Sequence, residues 1–183
     1  MLIQEVSHEE ALNLLAHLRL GRVACAEGAQ PYVVPFYFAY RDGFLYSFST
    51  VGQKIRWMRA NPLVCVEVDE IVNSEEWVSI VIFGRYQELT DIPELKAERN
   101  LAYRLLQEKA IWWEPGYAKT IIGGTERALL PVYFRIQIAR ITGRHSAPNS
   151  AEGVHVKPSP NEQASKHSVQ GILAALRAKL FSK

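Results

Sequence analysis

The run LYSFSTVGQKIRWMRANP, from Leu45 to Pro62, changes its period part-way along. Leu45 to Phe48 sets apolar and hydroxyl residues in near alternation, as a strand does. The chain then turns through Gly52 into a short basic helix, with Ser49 or Thr50 where an N-cap would sit. Pro62 ends that helix and biases Asn61 away from the α region. Hydroxyls, a glycine-assisted turn and Lys54 at a helix start make a good anion site, because free backbone N–H groups and the helix dipole favour a phosphate there. The run is not a Walker A loop: it has no GxxxxGK[ST], and its Ser and Thr precede the Lys. An ordinary helix cap beside a solvated lysine is the competing reading, and this stretch alone leaves both open.

On either side of this run the chain is dominated by strand patterns. Gly21 to Ala26 reads as a strand, and Tyr32 to Tyr40 as a second, with Pro35 inside it. Proline cannot donate to a ladder, so Pro35 predicts an edge position or a bulge. Arg41-Asp42-Gly43 is a hairpin turn of the Asp-Gly kind, leading into a third strand from Phe44 to Phe48. Leu63 to Asp69 alternates cleanly, and Trp77 to Leu89 is a long strand with a bend predicted at Gly84. The last strand runs from Leu130 to Gly143, with Arg135, Gln137 and Arg140 on its polar side. Six closely spaced strands with a bend and turn signals predict an antiparallel barrel, mainly β with flanking helices.

Two further helices are expected. Ser7 with Glu10 forms a capping box for a helix over about residues 8–18, with Ala11, Leu12, Leu15 and Leu18 on one face and His8 and His17 on the polar side. Asp91, Pro93 and Glu94 predict a helix start with Asp91 as cap, running to about Ala110 on a partial apolar face of Leu95, Leu101, Tyr103 and Leu105. Trp112 and Trp113 follow; adjacent residues cannot share a helical face, so one packs inward and the other covers something else, or the core takes both on two sides.

At 183 residues, 48% hydrophobic and 22% charged, the chain has the length and composition of a soluble domain with an appendage. A net charge of +2 gives no reason to expect nucleic acid. Cys25 and Cys65 lie in apolar alternating runs and read as reduced core thiols; there is no CxxC, HExxH or paired-His motif for a metal. With no signal-peptide pattern at the start and no apolar run of membrane length, a cytoplasmic location is expected. Composition changes at Arg144. Residues 1–144 read as the domain, 145–166 as a flexible linker, and 167–183 as an amphipathic helix with Val169, Ile172, Leu173, Leu176 and Leu180 at helical spacing. That helix docks on the body or a partner subunit, or meets a membrane surface.

The blocks GRVACA, PYVVPFYFAYRDGFLYSFSTVGQKIRWMRANPLVCVEVDE and WVSIVIFGRYQELTD, in that order, resemble the pyridoxamine 5′-phosphate oxidase-like flavoproteins, and more closely the branch with the 5-nitroimidazole-resistance proteins. The resemblance covers about residues 5–143. It implies a six-stranded antiparallel split β-barrel that binds FMN at a homodimer interface. By position it places the phosphate grip on Ser49, Thr50 and Lys54, with Phe48, Gly52 and Gln53 in the same block and Arg22 as a further phosphate ligand. Val34, Pro35, Phe36 and Tyr37 match the segment whose backbone lies along the flavin ring. Trp77 and Ser79 match the strand that closes the other side, and Trp113 reaches toward the flavin of the partner subunit. This chain departs from the nitroimidazole-resistance pattern at Phe48, where relatives carry His. It also lacks the Arg- and His-rich C-terminal signature of the vitamin B6 oxidases.

The function so implied is an FMN-dependent oxidoreductase acting on a small acceptor, with a nicotinamide as donor and Tyr37 and Trp113 on the substrate side. No Ser-His-Asp set or carboxylate pair offers itself as catalytic machinery, so the flavin would carry the chemistry. The alternative is a non-catalytic flavin carrier or redox-sensing module whose C-terminal helix is the output element.

Overall fold

A computed structural model describes residues 2–108, 120–122, 125–127 and 131–147. The elements in chain order are β1 (Leu2–Glu5), α1 (His8–His17), β2 (Leu20–Glu27), β3 (Gln30–Tyr37), β4 (Ala39–Arg41), β5 (Phe44–Ser49), α2 (Gln53–Ala60), β6 (Leu63–Ile71), β7 (Trp77–Glu88), a 3₁₀ turn (Pro93–Leu95), α3 (Lys96–Gln107), β8 (Thr120–Ile122), β9 (Thr125–Arg127) and β10 (Val132–Ala147).

All strand pairs are antiparallel, in the order β3-β2-β6-β7-β10-β5-β4, with β1 also on β10. β3 and β4 are halves of one run broken at Phe38, whose N–H donates to the Arg19 carbonyl at 2.8 Å. The sheet therefore begins and ends on the same stretch of chain and curls back on itself, as the six expected strand runs require. Pro35 lies on β3 at the sheet edge, in unbroken register with β2, so the edge explanation holds and the bulge does not. Asp42 and Gly43 both take positive φ (48° and 81°), as a tight hairpin turn requires.

The interior is filled by period-2 side chains such as Val23, Leu45, Ile80, Ile82, Phe134 and Ile136, all fully buried. α1 adds Leu14 and Leu15; Leu14 was absent from the expected face. Its capping box is present, with Ser7 N–H donating to Glu10 Oε2 at 2.9 Å. α2 packs Ile55 and Met58 into the barrel. α3 lies outside, over β4, β5 and β10, and buries Ala102 and Leu106, with Leu101 and Leu105 alongside. Asp91 does not cap it: Leu95 holds the cap position without a side-chain bond, and Pro93 opens the preceding 3₁₀ turn instead.

Gly84 marks the bend. A Cβ there would sit 2.6 Å from Ile136 Cγ2 and 2.7 Å from the Gln137 carbonyl oxygen, so β7 and β10 approach more closely than any side chain permits. Opposite it, the register of β10 shifts between Ile138 and Arg140. The extra residue reverses the alternation. Arg140 thus joins Arg135 and Gln137 on the outer face, where strict alternation would have turned it inward; its guanidinium lies 4.1 Å from the Phe83 ring centroid.

Three further features differ from the sequence reading. Leu2–Glu5 forms a strand, and β10 continues to Ala147, past the composition change at Arg144, because these two segments pair. Cys25 is buried in the core, but Cys65 is half-buried on the outer face, since its neighbour in the ladder, Ala24, points outward. The tail helix and Trp112-Trp113 lie outside the described residues. No helix among the described residues is long and apolar enough to cross a membrane.

Candidate functional site

β5 ends at Ser49 and delivers Thr50 and Gly52 to the start of α2. The cap is Gly52, in extended conformation, and not Ser49 or Thr50 as expected: no side chain bonds to the first-turn N–H groups, and no acidic residue lies in that turn. Ser49 is instead held in the ladder opposite Val132. The helix start therefore keeps free donors and an uncompensated positive end. Lys54 sits in this turn, half-buried beside Cys25, and no carboxylate among the described residues pairs with it. Burial pushes its ammonium below the usual lysine range, and the nearby thiol offsets this only in part. Gln53 is exposed in the same turn.

β3 pairs with β2 on one side only, so among the described residues the backbone edge from Val34 to Phe36 that faces away from β2 is unpaired by any strand. Phe36 is buried, Val34 packs on the core and Pro35 points outward opposite Arg22. Tyr37 and Phe48 meet in one apolar cluster with Ala39, Leu106 and Tyr133. Ser47, buried, donates to the Tyr37 carbonyl at 2.6 Å and ties the end of β3 to β5. The structure thus brings together the β3 edge, Phe48, Ser49, Thr50 and the start of α2.

Arg22 is committed elsewhere. Its guanidinium donates to Glu67 at 2.9 Å and to Asp69, both on β6, and these carboxylates raise its pKa further. Ser79 on β7 donates to the other Glu67 oxygen at 3.1 Å. Trp77 and Ser79 line a cleft of about 620 Å³ with Val81, Thr142, Arg144 and Glu5. Thr142 and Arg144 were not singled out from the sequence, because their face follows from the bulge in β10. Ser79 pairs with Arg144 and Ser49 with Val132, so twelve residues of β10 (132 to 144) separate the two groups.

One polar cluster escaped the sequence reading entirely. Arg59 on α2 forks onto Glu88 of β7 (2.7 and 2.8 Å), and the buried Tyr86 hydroxyl donates to the same carboxylate at 2.9 Å. Alternation places Tyr86 and Glu88 on one face of β7, but nothing local names Arg59 as their partner.

The family model described as pyridoxamine 5′-phosphate oxidase matches residues 7–145. The chain belongs to the pyridoxamine 5′-phosphate oxidase family. It is 39% identical to the uncharacterised protein RA0666 of Rhizobium meliloti over 144 residues, 79% of this chain and 95% of that one. It is 44% identical to a crystal structure described as a FAD-binding protein of Mesorhizobium loti, with a TM-score of 0.68, covering 80% of this chain and all of that one. A structure from Bacteroides thetaiotaomicron, named for 5-nitroimidazole antibiotic resistance, shares the fold at 15% identity and a TM-score of 0.55 over 79% of this chain and 89% of that one. The fold is accordingly the split barrel of a flavin-binding family.

Proposed function

We propose that this protein is an FMN-dependent oxidoreductase whose cofactor lies between two copies of the chain. The observation that carries the reading is Lys54: a half-buried cation with no carboxylate partner among the described residues, in a helix turn with uncapped donors, near a strand edge that no described strand pairs. A phosphate would neutralise Lys54 and take up the first-turn N–H groups beside Ser49 and Thr50. An aromatic ring system could lie along the β3 edge, with backbone groups of Val34 to Phe36 for its polar rim and the Tyr37 and Phe48 side chains nearby. Arg22 and Arg59 already hold carboxylates, so neither is offered to a phosphate as Lys54 is. When bound, the flavin would supply hydride and electron transfer, and the chain would bind and orient it and exclude water.

Two copies are proposed on geometric grounds. Trp77 and Ser79 sit in a different group from Ser49, twelve residues along β10, and the second copy could present them to the same ligand. The outer sheet face suits such an apposition. Val33, Ala24, Cys65 and Phe83 form a row across four strands, with Val33 61% and neighbouring Leu63 63% exposed.

The test is an absorption spectrum of the purified protein, analysis of the released flavin, and turnover with NADH or NADPH and small acceptors. FMN bands with turnover support the reading. Released FAD, the ligand for which the Mesorhizobium loti protein is named, would keep the oxidoreductase and change the nucleotide; no flavin would remove both. A second reading, a flavin carrier or redox sensor, draws on the tail beyond residue 145, which lies outside the family match. It requires flavin without turnover, and a partner lost on deletion of residues 148–183.

A further inference from the structure

We propose that Glu88 is a positioning residue for the phosphate end of the site, acting through Arg59 on the rotation of α2. This rests on the reading of Lys54 as the phosphate cation. α2 has eight residues, about 12 Å and little more than two turns, so it moves as one body. Its apolar face is seated by Ile55 and Met58, both fully buried. Trp57 packs beside them, edge-on to Tyr32 at 5.6 Å, and such non-directional contacts hold a short helix without locking its roll. The planar Arg59–Glu88 fork, five residues beyond Lys54, fixes that roll, because a bidentate pair has direction where a single ionic contact has not. The Glu88 carboxylate is itself held by the Tyr86 hydroxyl, and the Tyr86 N–H donates to the Pro62 carbonyl just after the helix at 2.8 Å. A roll of about 20° at a side-chain radius of about 5–6 Å would carry the Lys54 ammonium about 2 Å. That exceeds what a hydrogen bond to a phosphate oxygen tolerates.

The fork is well placed for this role and poorly placed for a large contribution to stability. The Arg59 side chain is 44% exposed, and ion pairs so exposed stabilise little. Electrostatics alone would make Glu88 unhelpful: a negative charge on the strand beside the helix that holds an anion weakens binding, and its removal should tighten it. Positioning predicts the opposite sign.

The experiment compares FMN with riboflavin, which has the ring but no phosphate, by fluorescence titration of the full-length protein stripped of flavin. In Glu88→Gln the FMN Kd should rise about three- to tenfold, each tenfold being about 1.4 kcal/mol, while the riboflavin Kd stays put. Arg59→Lys keeps the charge, loses the fork, and should reproduce the selective loss should the first variant not fold. Unchanged or tighter FMN binding would overturn the proposal, as would a parallel loss of both ligands, which marks a general structural role. A wild-type protein that binds neither ligand, or binds both equally, would overturn the phosphate grip itself, an outcome distinct from failure of the clamp alone.

Discussion

Replacing Lys54 with Met separates what this residue does for binding from what it does for the fold. Methionine fills a similar unbranched volume and removes the charge. In the unliganded protein Lys54 is half-buried with no carboxylate partner among the described residues, and burial lowers its pKa. A lysine whose folded pKa is depressed opposes folding at pH values where it is charged, and stability recovers only as pH rises through the folded pKa toward the unfolded one. The variant should therefore be the more stable apoprotein at pH 7. An apolar replacement there should add about 0.5–1 kcal/mol, or about 1–4 °C at this chain length. FMN should reverse the ranking. Losing one charge-assisted hydrogen bond costs about 1.5–3 kcal/mol, a 10- to 150-fold rise in Kd. At a concentration 100 times the wild-type Kd, ligand adds about 2.7 kcal/mol to the wild type and only about 0.3–1.4 kcal/mol to the variant. Thermal unfolding with and without FMN, with riboflavin as control, measures both effects. An FMN shift equal to wild type would place the phosphate elsewhere, and a lower apoprotein Tm would mean that Lys54 stabilises the empty fold.

The alkaline side of the same site gives a second check: FMN affinity should decline with pH below the ordinary lysine range, near 10.5, while riboflavin affinity stays flat. Gly84→Ala should cost about 1–3 kcal/mol in urea unfolding, since the added methyl meets the Gln137 carbonyl and Ile136 with no room to retreat. Glu70→Gln should raise Tm at pH 7–8 and lose that advantage by about pH 4. Glu70 Oε2 is buried without a partner and burial raises its pKa, so the native residue loses stability as pH climbs from the unfolded pKa to the folded one. Val33→Glu, on the exposed outer face, should leave the monomer within about 0.5 kcal/mol of wild type yet yield a monomer by sedimentation with weakened FMN binding; a flavin-loaded dimer would move the interface off that face.

What the sequence by itself determined was local. Period-2 alternation marked the six strand runs, the Asp42-Gly43 pair marked its hairpin, Ser7 and Glu10 marked their capping box, and Pro62 marked the end of α2, where the Asn61 N–H closes back on the Trp57 carbonyl. Each is set by residues a few positions apart, so the chain states it directly. The run from Ser49 to Lys54 was legible as a donor-rich turn for the same reason. Tertiary structure decided which strands are neighbours, and with that the rest. Leu2–Glu5 is exposed throughout and shows no alternation; it is a strand because β10 offers it an edge. A one-residue bulge set the face of Arg140, Thr142 and Arg144, and no period-2 reading survives such an insertion. Arg22 pairs with carboxylates 45 and 47 residues further on. Arg59 finds Glu88 29 residues further on, and Ser79 meets Glu67 twelve residues back. Alternation fixes which face a side chain takes, but the pairing order of the sheet fixes what it meets there.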